Sequence, residues 1–158
     1  MGNQGTAWRI KGKGRGRGLS HKNPIIAQRI AGFEGRAWDP HYLGYFDCFN
    51  QGRYYEAHDV LEAIWLPSRK GPKDHFYKGM IQLAGAFVHF QKSRMRPAGA
   101  LLRLARENLI RYAPHYDGVV VADILGLIED WLGSLDNRKA GENPFHSRPA
   151  PLLAVPVP

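Results

Sequence analysis

The sequence predicts an all-α, single-domain bundle of about five helices, and two observations support that fold class. The stretch FYKGMIQLAGAFVHF at residues 76–90 is long enough for a helix and apolar on almost every side, which is typical of a buried helix. Elsewhere apolar residues recur at helical spacing, and no stretch of sequence shows the alternation of a half-buried strand. We therefore expect a helix over about residues 76–91 to lie at the centre of the bundle.

Composition and charge divide the chain into one globular domain and two terminal segments. With 44% hydrophobic and 23% charged residues, the 158-residue chain has the composition of an ordinary folded protein. Seven of its 22 basic residues and none of its 14 acidic ones lie in residues 1–33. We predict a largely disordered, Gly-rich basic arm over residues 1–38, a helical domain over 39–135 and a Pro-rich tail over 136–158.

The first two helices of the predicted domain have recognisable ends. Asp39 is suited to cap a helix and Pro40 to open one, so a first helix is expected over residues 40–50. Gly52 ends this helix. A second helix is expected over residues 53–66, before a loop that is rich in proline and glycine.

Proline and glycine also delimit the remaining helices. The central helix is expected to extend over about residues 73–93. Pro97 suits the first turn of a fourth helix over residues 97–112, and a fifth helix is expected over residues 118–135. Before the domain, residues 25–39 are apolar without a clear period, which indicates either a short helix or a strap over the core.

Polar side chains on two of these helices are the candidate functional residues. On a helical wheel of the central helix, Lys78, Gln82 and His89 fall in one sector. On the second helix, His58 and Glu62 are four residues apart and share a face. Antiparallel packing of the two helices brings the sector and the face together. We hypothesise that His58, Glu62 and Gln82 then form one hydrogen-bonded group.

This polar cluster has three interpretations. Two imidazoles and a carboxylate are adequate ligands for zinc or iron, although no HExxH or CxxC motif accompanies them. A His–Glu pair in a pocket is suited to acid/base catalysis on a small substrate. The same groups can also satisfy one another as a structural network. Because no GxSxG, Walker or dinucleotide motif is present, enzymatic activity is left open and no cofactor or metal is predicted.

Two blocks of sequence resemble a known family. Residues 49–65 read FNxGxYYEAHDxLExxW, and residues 78–84 read KGxIQxA, followed by His89 and by GAxL at residues 99–102. Over about residues 43–135 the chain is similar to the small helical family called domain of unknown function 309. The resemblance implies a compact multihelical bundle with a buried central helix, and it implies no particular activity. Together with the helical wheel it yields the candidate polar cluster Asn50, Glu56, His58, Glu62, Lys78, Gln82 and His89.

The sequence favours a binding module for a small ligand or a partner segment. One alternative is a metal-dependent or acid/base enzyme that uses His58 and Glu62. Another is an adaptor, because GRYYEA at residues 52–57 resembles the turn and second-helix start of a tetratricopeptide hairpin. One cysteine, no secretory signal and no apolar run long enough for a membrane span predict a cytoplasmic protein. Self-association is left open.

The basic arm predicts weak binding to nucleic acid. Its cations alternate with glycine and have no acidic competitor nearby. A phosphate polymer is therefore expected to bind them without sequence preference and with a strong dependence on salt. The residues of the arm that are predicted to bind nucleic acid are Arg9, Lys11, Lys13, Arg15, Arg17 and Lys22.

Overall fold

The computed structural model describes residues 24–158, which form six α-helices and a short hairpin. The basic arm from Arg9 to Lys22 lies outside the described residues, and the all-α fold class is confirmed. In chain order the helices are α1 (Pro24–Ile30), α2 (Pro40–Asn50), α3 (Tyr54–Ser68), α4 (Asp74–Gln91), α5 (Met95–Leu109) and α6 (Val121–Asp136). The strands are β1 (His115–Tyr116) and β2 (Val119–Val120), and single 3₁₀ turns cover Ala31–Phe33, Ile110–Tyr112 and Pro144–His146.

The ends of α2 follow from its sequence. Asp39 Oδ1 accepts a hydrogen bond from the His41 amide at 2.8 Å, and Pro40 occupies the first turn. Gly52, with φ at +77°, adopts the left-handed conformation that ends the helix and turns the chain into α3. The predicted helix over residues 40–50 is therefore confirmed.

The central helix of the bundle is α4, as predicted. It packs against α3 and against α5, and its residues Ile81, Ala84 and Val88 are at most 4% exposed. Large apolar side chains each contribute about 1.5–3 kcal/mol when fully buried, so α4 organises the core. It lies close to α5 at Gly79, where an added Cβ would lie 2.7 Å from Leu109 Cγ. None of the described helices is both long and apolar enough to cross a membrane.

A hairpin replaces the start of the predicted fifth helix. Asp117 and Gly118 both have positive φ, at +46° and +77°, and form the two-residue turn between β1 and β2. Such a turn matches the twist of the strands that it joins. Lys73 Nζ binds Asp117 Oδ2 at 2.9 Å, and the Tyr42 hydroxyl donates to the Asp117 carbonyl at 2.8 Å. The helix therefore begins three residues later than predicted, at Val121.

The segment after α6 is not the loose tail that its composition suggests. The Asn50 side chain donates to the Leu153 carbonyl at 2.8 Å and accepts from the Leu153 amide at 2.7 Å. The Asn143 side chain donates to the Phe90 carbonyl at 2.7 Å. These side-chain amides replace the backbone pairing that a Pro-rich segment lacks, so residues 143–153 pack onto the helices.

The first described helix, α1, packs against α2 and α3. Ile26 is buried in the core, and Arg29 Nε binds Glu56 Oε2 on α3 at 2.6 Å. Gly44 on α2 permits this close packing, since a Cβ there would lie 3.2 Å from Ile30 Cγ2. The sequence left this segment as either a short helix or a strap, and it begins as a helix.

Candidate functional site

One face of α3 carries four neighbouring polar or aromatic side chains. Tyr55 lies three and four residues before the adjacent His58 and Asp59, and Glu62 lies four and three residues after them, which places all four on two successive turns. We call these four residues the α3 cluster. Tyr55 is 58% exposed, whereas His58 and Glu62 are 6% and 5% exposed. The α3 cluster therefore extends from an aromatic ring in solvent to a buried carboxyl group.

Asp59 and Tyr55 hold the ring of His58. His58 Nδ1 lies within hydrogen-bond distance of Asp59 Oδ1, at 3.0 Å. The Tyr55 ring stacks on the His58 ring, with centroids 5.9 Å apart and planes at 27°. These two contacts hold the orientation of the imidazole ring.

Burial changes the chemistry of Glu62. It raises the pKa of the carboxyl group to about 7, while the charge of His58 lowers this pKa and the charge of Asp59 raises it. Within residues 24–158, no backbone or side-chain group donates a hydrogen bond to this carboxyl group. The Glu62 carboxyl group therefore titrates closer to neutral pH than an ordinary glutamate does.

The α3 cluster carries an excess of acidic groups. In the described part of the chain, no Lys or Arg forms an ion pair with Asp59 or Glu62. Glu56, the third acid of α3, is instead paired with Arg29 Nε at 2.6 Å and with Arg53 Nη1 at 3.8 Å. Both of these cations are therefore engaged about one helical turn away from Asp59.

Comparison with known proteins now identifies the domain that carries this face. Residues 42–108 match the family described as Domain of unknown function (DUF309), a range that contains all of α3 and α4. The matched range covers 67 residues, which is fewer than half of the 158 residues of the chain. The match confirms the resemblance found in the two sequence blocks around His58 and Gln82.

Two relatives support the DUF309 assignment. Over 87 residues the chain is 23% identical to an uncharacterized protein of Aquifex aeolicus strain VF5, an alignment that covers 55% of this chain and 26% of that protein. Over 75 residues it is 33% identical to the uncharacterized protein YpuF of Bacillus subtilis strain 168, covering 47% of this chain and 42% of YpuF. The chain thus spans less than half the length of either relative. No solved structure matches the chain significantly.

Gln82, a motif residue of the DUF309 domain, lies apart from the α3 cluster. Its Oε1 accepts from Asn108 Nδ2 on α5 at 2.7 Å, and Asn108 Oδ1 lies 3.0 Å from His75 Nδ1. The hydrogen-bonded group predicted from His58, Glu62 and Gln82 therefore does not form. A helical wheel shows which residues share a sector, but it does not show which neighbouring helix meets that sector, and here the neighbour is α5.

Three other residues of the predicted polar cluster have separate positions. Lys78 is exposed on α4. Glu56 pairs with Arg29 of α1, and Asn50 holds the backbone of Leu153. These contacts give Glu56 and Asn50 structural roles in attaching the two ends of the described chain to the DUF309 domain.

His89 is buried near the carboxyl end of α4. Burial, followed by the positive charges of Arg94 and Lys92, lowers the pKa of its imidazole to about 4. The ring is therefore neutral across the physiological range and adds no positive charge to the core. From the predicted set of seven residues, only His58 and Glu62 belong to the α3 cluster.

Sequence reasoning missed two members of the α3 cluster and one polar pair. Tyr55 could have been found from its spacing, because it lies three residues before His58 on the same helix. Asp59 follows His58 directly, and successive helical residues point about 100° apart. A helical wheel therefore does not predict their contact at 3.0 Å. The contact between His75 and Asn108, which are 33 residues apart, is likewise not predicted by any pattern in the sequence.

The described residues contain no set of side chains that matches the metal site considered from the sequence. Among residues 24–158, no group of three or more His, Cys, Asp or Glu side chains is arranged to hold a metal ion. His58 and His89, which the metal interpretation combined with Glu62, differ in environment. The first contacts Asp59, and the second is buried near the far end of α4.

Proposed function

We propose that this DUF309 protein is a binding module and that the α3 cluster is its ligand site. The observation that supports the proposal is the Glu62 residue, which is 5% exposed and whose carboxyl pKa is raised to about 7, chiefly by burial. In such a partly desolvated place a hydrogen bond is electrostatically stronger than in water. A ligand that donates a hydrogen bond to Glu62 therefore gains affinity from it.

Tyr55 and Asp59 make the site accessible. Tyr55 is 58% exposed and the Asp59 side chain is 25% exposed, so a ligand reaches the cluster along these two residues. The His58 ring is already held by both of them. Little ordering is therefore needed when a ligand binds. A small molecule, or one side chain of a partner, matches the size of a site built from one helix face.

The test is a ligand screen by NMR on the full chain. A fragment library is titrated into ¹⁵N-labelled wild-type protein and into the Glu62→Gln and Glu107→Gln variants. Glu107, an exposed glutamate of α5, is the matched control. We expect ligands that shift the amides of residues 55–62 and that bind about tenfold more weakly to Glu62→Gln but not to Glu107→Gln. The proposal is wrong if no ligand shifts these amides, or if the bound ligands ignore the change at Glu62.

A second candidate is an acid/base enzyme that uses the same residues. The pKa of Glu62, about 7, lies where a carboxyl group both donates and accepts protons near neutral pH. The imidazole of His58, which contacts Asp59 Oδ1 at 3.0 Å, is a second group that can transfer a proton. Each ligand found in the screen is therefore followed by NMR over hours. Conversion by the wild-type protein, and not by Glu62→Gln, would favour the enzyme; unchanged ligands would favour simple binding.

The proposal includes a cytoplasmic location. Cys48, the single cysteine, is a free and fully buried thiol on α2. Burial raises the pKa of this thiol to about 12, so it acts as a packing residue rather than a nucleophile. A free thiol in the core is compatible with a reducing compartment. Fractionation of cells that express the tagged full chain tests the location.

A further inference from the structure

We propose that one end of the helical bundle binds the phosphate backbone of a nucleic acid duplex. The surface is built from the turn between α4 and α5, from α5 itself and from the segment that follows α6. Its six basic residues, which we call the basic end, are Lys92, Arg94, Arg96, Arg103, Arg138 and Lys139. The basic end shares no residue with the α3 cluster, so this inference goes beyond the proposed function and does not depend on it.

A side-chain hydrogen bond holds the chain after α6 against the turn between α4 and α5. The Asn143 side chain donates to Ser93 Oγ at 3.1 Å, although 50 residues separate the two. Ser93 lies between Lys92 and Arg94 in this turn. Lys139 precedes Asn143 by only one turn of chain, so it is held at the same end of the bundle as these two cations.

Helix α5 and the last turn of α6 meet at Gly99. Arg103 Nη1 and Leu135 Cδ1 each lie 3.3 Å from the position of a Cβ added at Gly99. The Arg103 guanidinium therefore points back along α5 towards Arg96 and lies beside the end of α6. There the Arg138 Nη1 atom donates to the Leu135 carbonyl at 2.8 Å. These contacts place the cations of all three segments at one end of the bundle.

Neighbouring acids do not compensate the charge of the basic end. Residues 91–103 and 134–143 hold these six cations and two acidic residues, Asp136 and Glu142, whereas residues 24–158 hold 16 basic and 14 acidic residues in total. All six cations are exposed, and none forms an ion pair with a carboxylate of the described chain. The domain is therefore close to neutral on average but positive at this end.

The positive potential of the basic end reaches the core. Burial is the main cause of the lowered pKa of His89, and the charges of Arg94 and Lys92 lower this pKa further. No carboxylate is among the groups that shift it, which indicates that the charge of these two cations is not neutralised nearby. Anionic groups bound at the basic end would offset this potential.

The basic end also offers the hydrogen-bond donors that phosphate requires. Four of its six residues are arginines, whose planar groups donate two parallel hydrogen bonds to phosphate oxygens. Arg138 uses Nη1 for a carbonyl, which leaves its other donors for a ligand. The first turn of α5 has neither a side-chain cap nor an acidic residue. Backbone amides at such a helix start add further donors for an anion.

The composition of the basic end favours a duplex over a membrane or a single strand. Membrane surfaces are bound by cations together with apolar side chains that insert between lipids. Single strands are bound by aromatic rings that stack on the bases. Residues 91–103 and 134–143 contain no aromatic residue and no exposed large apolar side chain. Phosphate contacts alone are sufficient for binding to the backbone of a duplex.

The test measures binding of a labelled DNA duplex of about 20 base pairs to the full-length chain, at salt concentrations between about 50 and 200 mM. The surface variant carries Arg96→Gln, Arg103→Gln and Lys139→Gln. The matched control variant removes three exposed cations from the opposite end of α4 and α5, through Lys70→Gln, Lys78→Gln and Arg111→Gln. Both variants lose the same charge and keep the basic arm. Thermal melts establish that each variant is folded.

We expect the surface variant to bind the duplex at least about tenfold more weakly than wild type, and the control variant to match wild type. Each lost phosphate contact should also reduce the slope of log binding constant against log salt concentration by about 0.9, or by about 3 for the three cations. Unchanged binding by the surface variant, or equal weakening by the control variant, overturns the inference.

Vesicles of phosphatidylcholine and phosphatidylserine are the second probe, because they present phosphate groups on a membrane surface. We expect the three substitutions of the surface variant to weaken duplex binding more than vesicle binding. If the surface variant loses vesicle binding but binds the duplex like wild type, the basic end is a membrane surface and the inference is wrong.

Discussion

Replacing Glu62 with glutamine should change how the stability of the protein depends on pH. In the folded protein the pKa of Glu62 is about 7 against an ordinary value of 4.5, chiefly because the carboxyl group is buried. The folded state thus binds this proton more tightly than the unfolded state does. The stabilisation is fully present below pH 4.5 and is lost as the pH rises through 7. Glutamine does not ionise, so the Glu62→Gln variant avoids this loss.

The size of the effect follows from the two pKa values. Each pKa unit corresponds to about 1.4 kcal/mol. The carboxyl group lies beside solvent-exposed neighbours, and water partly screens its charge, so we expect about 2 kcal/mol rather than the full difference. In a domain of this size, 1 kcal/mol changes the melting temperature by about 2–4 °C. Relative to wild type, Glu62→Gln should gain about 4–8 °C between pH 4.5 and pH 8.

His89 acts in the opposite direction. Its pKa falls from 6.5 to about 4 in the folded protein, chiefly through burial. The stability linked to this ring is present above pH 6.5 and is lost as the pH falls towards 4. Between pH 4.5 and 6.5 the contributions of Glu62 and His89 therefore oppose each other. The wild-type curve should be nearly flat there, Glu62→Gln should gain stability with rising pH, and His89→Gln should lose it.

The assay is urea unfolding at several pH values between 4.5 and 8, followed by circular dichroism. Wild type is compared with Glu62→Gln, His89→Gln and the exposed control Glu107→Gln. The control should run parallel to wild type, because Glu107 is exposed and forms no ion pair within residues 24–158. If Glu62→Gln runs parallel to wild type as well, the Glu62 carboxyl group titrates normally. The burial argument, and with it the basis of the α3 site, would then be refuted.

Three further predictions concern packing and the arm. Asn50→Ala removes both hydrogen bonds to Leu153, so we expect a loss of about 1–3 kcal/mol and faster proteolysis of the C-terminal segment. Gly79→Ala places a Cβ 2.7 Å from a side-chain carbon of α5, so its free energy of unfolding should fall by about 1–3 kcal/mol. At Gly126 an added Cβ meets no atom within 4 Å, so Gly126→Ala should raise the free energy of unfolding by about 0.5–1 kcal/mol. Deleting residues 1–22 should leave the melting temperature unchanged and abolish single-stranded oligonucleotide binding. In the full chain, the slope of log binding constant against log salt concentration should approach about −4. Equal oligonucleotide binding by the two proteins contradicts this prediction.

Local signals in the sequence were sufficient for much of the fold. The helix α2 begins and ends where Asp39, Pro40 and Gly52 predict, because capping and the left-handed turn depend on neighbouring residues alone. The central position of α4 could be predicted because apolar residues occur on almost every side of this helix, so that no broad face is suited to solvent. The tight turn at Asp117 and Gly118 was also readable as a hairpin signal, but it was included in the following helix.

Contacts between residues distant in the chain could not be predicted in the same way. Asn50 and Leu153 lie 103 residues apart, and nothing in the Pro-rich segment indicates that a side-chain amide will hold it. Gln82 was assigned to the correct sector of α4 but to the wrong neighbour, because the close approach of α5 at Gly79 depends on the tertiary packing. The wheel established that His58 and Glu62 share a face, whereas the burial of that face required the structure.

The two motif residues Asn50 and Glu62 differ in what they contribute to the stability of the folded domain. Asn50 forms two backbone hydrogen bonds, so its place in the motif is explained by folding. Glu62 forms none within residues 24–158, and its ionisation destabilises the folded state at neutral pH. Glutamine would fill the same volume without that penalty. Under the proposed function, a ligand that bonds to Glu62 offsets this cost, and the ligand screen on the Glu62→Gln variant tests that.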